Sequence, residues 1–284
     1  MPAVPQSTLI YRHTLPVRLM HWINVLCLVV LLMSGLGIFN AHPALNIGKS
    51  SYNGRPPILE LKAEVTESGE LLGKTDIFGY EFDTTGVLGA SRDIDGEFTE
   101  RGFPSWATIP GPQWLAMARR WHLFFAWLFV INGVCYLTYS FLTRHIQRDL
   151  APTRYDWASI WQSIKDHIRF RHPTGEAARH YNVLQKLAYL SVIFILLPLI
   201  ILMGWGMSPL LNSLIPGWVD LFGGRQTVRT IHFIVAWLLV AFVFVHVFEV
   251  IITGVWNNMR SMITGRYRIE TVQEAPEENH DASK

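Results

Sequence analysis

His232 and His246 lie fourteen residues apart within a single apolar run, RTIHFIVAWLLVAFVFVHVFEVIIT, residues 229–253. On an α-helix fourteen residues come to nearly four whole turns, so both imidazoles point the same way, about 21 Å apart along the axis. Ionisable side chains are costly inside a membrane and mark functional positions there. Imidazole nitrogens bind metals, and two of them at different depths on one face can each hold one side of a buried cofactor. Haem iron takes axial histidines and suits such positions. Two more histidines stand near the start of apolar runs of their own, His21 in RLMHWINVLCL and His122 in RRWHLFFAW.

The elements that must position these groups follow from composition. Half of the 284 residues are hydrophobic, with eleven Trp and sixteen Phe, as in a polytopic membrane protein. Four stretches are long and apolar enough to cross a bilayer: about 16–39, 114–142, 182–207 and 228–256. The expected fold is therefore an all-α integral membrane bundle of four helices. Pro198 is placed to kink the third span. Residues 40–114 form a polar insertion between the first two spans, with six Lys/Arg against eleven Asp/Glu. Its segments TDIFGYEFDTTG and LGASRDIDGEFTE read as short strands and turns. Between the second and third spans, ASIWQSIKDHIRF has helical periodicity suited to an interface. Residues 273–284 form an acidic tail with the composition of disorder.

Both cysteines, Cys27 and Cys135, fall inside apolar runs, which argues against a disulfide framework, and no CxxCH is present for covalent haem attachment. The first apolar run is long enough to remain as a span and lacks the layout of a cleaved signal. No nucleic-acid partner is expected.

Lys and Arg are densest before the first span, in residues 143–181 and in 260–268, which puts the N- and C-termini in the cytoplasm and the insertion in the periplasm. Depth then pairs the histidines. His21 begins an outward-running span and lies near the cytoplasmic surface; His122 and His232 begin inward-running spans and lie near the periplasmic surface; His246 is deeper on the fourth span. The pairs are His122 with His232 and His21 with His246, with no histidine in the spans left over. Each pair lacks an accompanying carboxylate or thiol to complete a zinc site, whereas haem needs two axial ligands only. Two haem b groups, one for each pair, are the expected cofactors.

Other features have simpler readings alongside functional ones. Arg12, Arg18, Arg119, Arg120 and Arg229 stand near the ligands, where they could meet haem propionates or only snorkel. Gly35, Gly37, Gly133, Gly204 and Gly206 could admit a flat macrocycle or a neighbouring helix. The histidines in loops and tails read as solvated groups, with His180 a candidate neighbour of the cytoplasmic-side cofactor.

The segments RLMHWINVLCLVVLLMSGLGIF, RRWHLFFAW, YNVLQKLAY, LPLIILMGWGMSP and RTIHFIVAWLLVAFVFVHVFE resemble the bacterial di-haem cytochrome b561 superfamily. Among its members the pattern is most similar to cytochrome b subunits of thiosulfate reductase type. The cytochrome b of nickel-iron hydrogenase and the gamma subunit of formate dehydrogenase are related. The resemblance implies a multi-pass subunit of the bacterial inner membrane, electron-transferring rather than catalytic. It would connect menaquinone or ubiquinone with a periplasmic catalytic subunit, of molybdopterin type in this branch. The family's ligands fall on His21, His122, His232 and His246. The family's quinone site falls at the start of the third span, where Tyr181, Asn182, Gln185 and Lys186 stand. Asn182 and Gln185 could donate to a quinone carbonyl, or they could cap the helix. Two other functions compete: a stand-alone quinone-linked oxidoreductase of a small acceptor, and a non-redox transporter or anchor. A transporter would favour acidic residues in the spans, where only Glu249 stands.

Overall fold

The computed structural model describes residues 5–51, 54–169 and 182–272. In chain order its elements are β1 (Pro5–Tyr11), α1 (Leu15–Phe39), β2 (Ala44–Leu45), β3 (Leu59–Val65), β4 (Leu71–Ile77), β5 (Tyr80–Asp83), β6 (Ala90–Arg92) and β7 (Phe98–Glu100). There follow α2 (Leu115–Leu142), α3 (Arg154–Ala158), α4 (Ile160–Ile168), α5 (Val183–Ser191), α6 (Leu197–Gly206) and α7 (Pro209–Leu214). The last three are α8 (Arg225–Ile252), α9 (Val255–Thr264) and β8 (Arg266–Val272).

Four helical stretches are long and apolar enough to cross a membrane: Leu15–Phe39, Leu115–Leu142, Val183–Gly206 and Arg225–Ile252. Most of each stretch is not buried within the protein. Apolar side chains left outside the fold in this way need lipid around them, so this is a multi-pass membrane protein. The third stretch is not uniform. A π-helical segment, Val192–Leu196, separates α5 from α6. Pro198 explains it: proline has no N–H, and its ring crowds the carbonyl four residues back, so the helix widens there. The fourth span is shorter than expected. It ends at Ile252, Gly254 adopts a left-handed φ of 104°, and Trp256 belongs to α9.

The chain divides into two compact units. One comprises Met20–Cys135 and Val192–Phe242, and includes the whole insertion. Its interior has two apolar clusters. Cys27 and Val30 of α1 pack with Phe125 and Phe129 of α2, bordered by Leu197 and Ile201 of α6. Leu36 and Phe39, at the end of α1, pack with Leu45, Leu61 and Phe103 of the insertion. The insertion carries an antiparallel sheet of order β2-β3-β4-β5 and a separate β6-β7 pair. The strict alternation of LELKAEV in β3 makes this possible by sending apolar and charged side chains to opposite faces. An all-α description therefore fits the spans but not the extramembrane parts.

The other unit comprises the described residues of Met1–Leu19, Tyr136–Ser191 and Val243–Lys284. In it β1 pairs antiparallel with β8 over seven residues, from Pro5 opposite Val272 to Tyr11 opposite Arg266. That ribbon was not legible in the sequence. Thr153 caps α3 through a reciprocal capping box with Asp156. The Asp156 carboxylate also accepts from Lys186 Nζ of α5 at 2.8 Å, with both side chains nearly buried.

Burial alone would raise the Asp156 carboxyl, but hydrogen bonds from Lys186 and Thr153 together hold it below its ordinary range. A depressed carboxyl stabilises the fold above its unfolded value, and that contribution is lost as pH falls through the folded value. The α3–α5 link is therefore expected to loosen below about pH 4. Pepsin cleavage beside Tyr155 and Trp157 should rise there, and Lys186→Met should move its onset toward neutral pH.

Candidate haem site

His122 on α2 and His232 on α8 belong to the same unit, and their rings face one another with centroids 6.3 Å apart and planes at 63°. A metal–imidazole bond is about 2 Å and the ring centre lies about 1 Å beyond the nitrogen, so two imidazoles astride one iron have centres about 6 Å apart. The observed spacing fits a six-coordinate haem iron with this pair as axial ligands.

Hydrogen bonding settles which nitrogen each ring offers. Ser34 on α1 is fully buried, and its hydroxyl donates to the Val30 carbonyl at 2.6 Å. The same oxygen lies 3.1 Å from His122 Nδ1 and, its proton committed, accepts the Nδ1–H. His232 Nδ1 stands 3.0 Å from the Ile200 carbonyl, which can only accept. Both rings therefore carry the proton on Nδ1 and offer the Nε2 lone pair, as a metal-binding imidazole does. Among the described residues no three His, Cys, Asp or Glu side chains gather into a metal cage. A porphyrin would supply the four equatorial nitrogens that the protein does not.

Two glycines lie against these rings, where an added Cβ would make ordinary contact. A Cβ on Gly35 would lie 3.4 Å from His122 Cε1, and one on Gly204 would lie 3.5 Å from His232 Cε1. Gly37 and Gly206 serve close packing, against Ile109 and Ala118 and against Val228 respectively. Nothing lies within 4 Å of where a Cβ on Gly133 would stand. Ser34 and the Ile200 carbonyl were missed in the sequence. A serine within an apolar run was the only signal for the first, and a backbone carbonyl leaves none. Ser34→Ala removes one acceptor for His122 Nδ1–H, the Leu31 carbonyl being another, and losses of this kind cost about 10–100-fold in metal affinity at most. Transfer of haem from the variant to apomyoglobin should accelerate correspondingly.

His21 and His246 fall in different units. His21, half-buried on α1, meets Trp22 edge-on with centroids 5.4 Å apart. Beside it the buried Asn132 of α2 donates to the Met20 carbonyl at 2.9 Å and to Asn24 Oδ1 at 2.7 Å, a polar link that sequence reasoning also missed. His246, half-buried on α8, meets the Tyr189 ring of α5 at 6.3 Å and 69°.

Asn182 and Gln185 cap α5 reciprocally. Asn182 Oδ1 accepts from Leu184 N at 3.0 Å, and Gln185 Oε1 accepts from Asn182 N at 3.3 Å. The cap uses the two amide oxygens and leaves the NH₂ groups out of it. Tyr181 and His180 lie outside the described residues.

Three of the five arginines have local partners. Arg229 donates to the carbonyls of Ala44 and His42 and lies over the Phe39 ring, fastening α8 to the insertion. Burial, then the charge of Arg229, lowers the His42 imidazole below its ordinary value. Arg12 stacks over Tyr267, Arg18 donates to the Ile263 carbonyl, and Arg119 and Arg120 are exposed.

A family model described as prokaryotic cytochrome b561 matches residues 12–265. The chain is also similar to the putative protein-methionine-sulfoxide reductase subunit YedZ1 of Azospira oryzae, with 31% identity over 148 residues, 51% of this chain and 69% of that relative. No solved structure matches it.

Proposed function

The chain belongs to the prokaryotic cytochrome b561 family of membrane electron-transfer subunits, and from that premise we propose that it carries electrons between the quinone pool and a periplasmic catalytic subunit through two bis-histidine b haems. The observation that carries the reading is the His122/His232 pair, spaced for one iron, with each Nδ1 within hydrogen-bond distance of an oxygen. Bound haem supplies a one-electron carrier; the chain's part is to fix its ligands, exclude water and set its surroundings.

His21 and His246 hold the second haem in this reading. It is supported by their register on the spans: His21 near the start of α1, and His246 nearly four turns beyond His232 on the same face of α8. Menaquinone or ubiquinone exchanges electrons near that haem. The Asn182 and Gln185 NH₂ groups donate to its carbonyl, since their oxygens hold the helix cap. The termini lie in the cytoplasm, the insertion in the periplasm, and the four spans in the bacterial inner membrane. The name of the Azospira relative, a reductase subunit, supports a separate catalytic partner, and a molybdopterin oxidoreductase fits the resemblance noted in the sequence.

The test is a dithionite-reduced minus oxidised spectrum of the purified protein with haem quantified per chain. About two b haems per chain are expected from four axial positions. Folded protein from a haem-replete host with no Soret band would overturn the reading.

A further inference from the structure

The insertion sheet has one charged face and one apolar face, and the apolar face is only partly covered by protein. On the charged face Lys62 and Lys74 form a cross-strand network with Glu64 and Glu81. On the opposite face the register aligns Leu59 with Ile77, Leu61 with Thr75, Ile77 with Tyr80 and Thr75 with Phe82. Leu61 is 2% exposed and packs with Leu36 and Phe39 at the end of α1, with Phe233 of α8 close by. Thr75 is covered through Thr84 of the following loop. Beyond them the same face is bare: Tyr80 is 73% exposed and Phe82 53%. Phe78, at the tip of the β4–β5 hairpin, is 72% exposed.

We infer that this bare apolar edge, Phe78, Tyr80 and Phe82, rests in the headgroup layer of the bilayer that the spans cross, on the insertion's side. The face that carries it is the face seated on the span ends, so it looks toward the membrane while the charged network looks toward water. Neighbouring strands are about 4.8 Å apart, which sets β5 about 10 Å beyond β3, near the full width of a helix. Past the helix that supports β3, a surface at that level meets lipid. The insertion also exposes Trp106, and Trp114 is exposed at the foot of α2; tryptophan and tyrosine collect at membrane boundaries. The hairpin tip is shaped for this contact at a local cost. Phe78 and Gly79 have φ of 53° and 86°, a turn that favours Asn or Gly at its first position, yet a phenylalanine stands there. The Asp76 carboxylate steadies the turn by accepting Gly79 N–H at 2.8 Å.

Charge separates the other occupants from this one. A soluble protein arriving from water meets the Lys62–Glu64–Lys74–Glu81 face first. A second copy would bring together two insertions that each carry eleven acidic against six basic residues.

The experiment uses the full-length, haem-loaded chain in nanodiscs of phosphatidylethanolamine and phosphatidylglycerol. Cys27 and Cys135 are replaced, and a spin label is placed singly at 78, 80, 82 or 81. Collision with lipid-soluble oxygen is compared with collision with a water-soluble nickel chelate. The oxygen-to-nickel ratio should be severalfold higher at 78, 80 and 82 than at 81, on the opposite face of the same strand. Equal ratios at all four sites would overturn the inference. So would spin–spin broadening between copies, which would assign the edge to self-association. The same measurement on the haem-free protein separates this inference from the redox reading, because the ratios do not depend on bound haem.

Discussion

His122→Ala is expected to bring haem content from about two b groups per chain to about one. The lost group is the one held with His232, because the two imidazoles stand 6.3 Å apart in one unit and no third donor is at hand among the described residues. Alanine also leaves the Ser34 oxygen without the N–H it accepts. Haem extraction as the pyridine complex gives the stoichiometry. A potentiometric titration should then show one component where the proposed arrangement gives the parent two. Electron transfer from quinol to a periplasmic acceptor should fall to background, since one carrier cannot span both surfaces. Equal loss of both haems from a folded variant would show that the sites are not independent.

Arg101→Met is expected to unfold the insertion while leaving the spans in place. The Arg101 side chain is fully buried. It donates through Nε to the Phe103 carbonyl at 2.8 Å, through Nη1 to Asp93, and through Nη2 to Thr108 Oγ1 and the Gly111 carbonyl. Methionine fills much of the volume but removes all four hydrogen bonds at once and leaves the partly buried Asp93 carboxylate without its cation, a loss of about 2–3 kcal/mol. The damage should reach the end of α1, because Asn40 holds the same Phe103 peptide by its N–H and its carbonyl. Arg101→Lys should recover little, for one ammonium cannot serve a planar fork of acceptors. Limited proteolysis within residues 59–104 reads the effect, and haem absorbance reports whether the spans survive.

Where the sequence spoke clearly, it did so through period and length. The spans are long apolar runs, and TDIFGYEFDTTG, read as strands and turns, holds the end of β4 and all of β5. The His122–His232 approach could be read because helix direction assigns depth to each residue. Other features depend on partners that no local pattern reveals. The hydrogen bond that orients His232 goes to a backbone carbonyl, which every residue possesses. Pro198 marked a bend but not the π-helical form it takes. Asn182 and Gln185 were ambiguous between ligand and cap, and their oxygens are in the cap. PQSTLIY reads as an unremarkable polar lead-in until its match, RYRIETV, is found at the far end of the chain.

That last pairing bears on how the protein is made. β1 is synthesised before β8, with the four described spans between them. The two strands can meet only if both emerge on one side of the bilayer, which demands an even number of crossings. A molecule in which one helix failed to insert would leave each strand alone, its hydrogen-bonding edge open to aggregation or to a protease. The ribbon thus stays open on any chain that has threaded an odd number of spans. It is a latch that a chain with one helix left out cannot fasten.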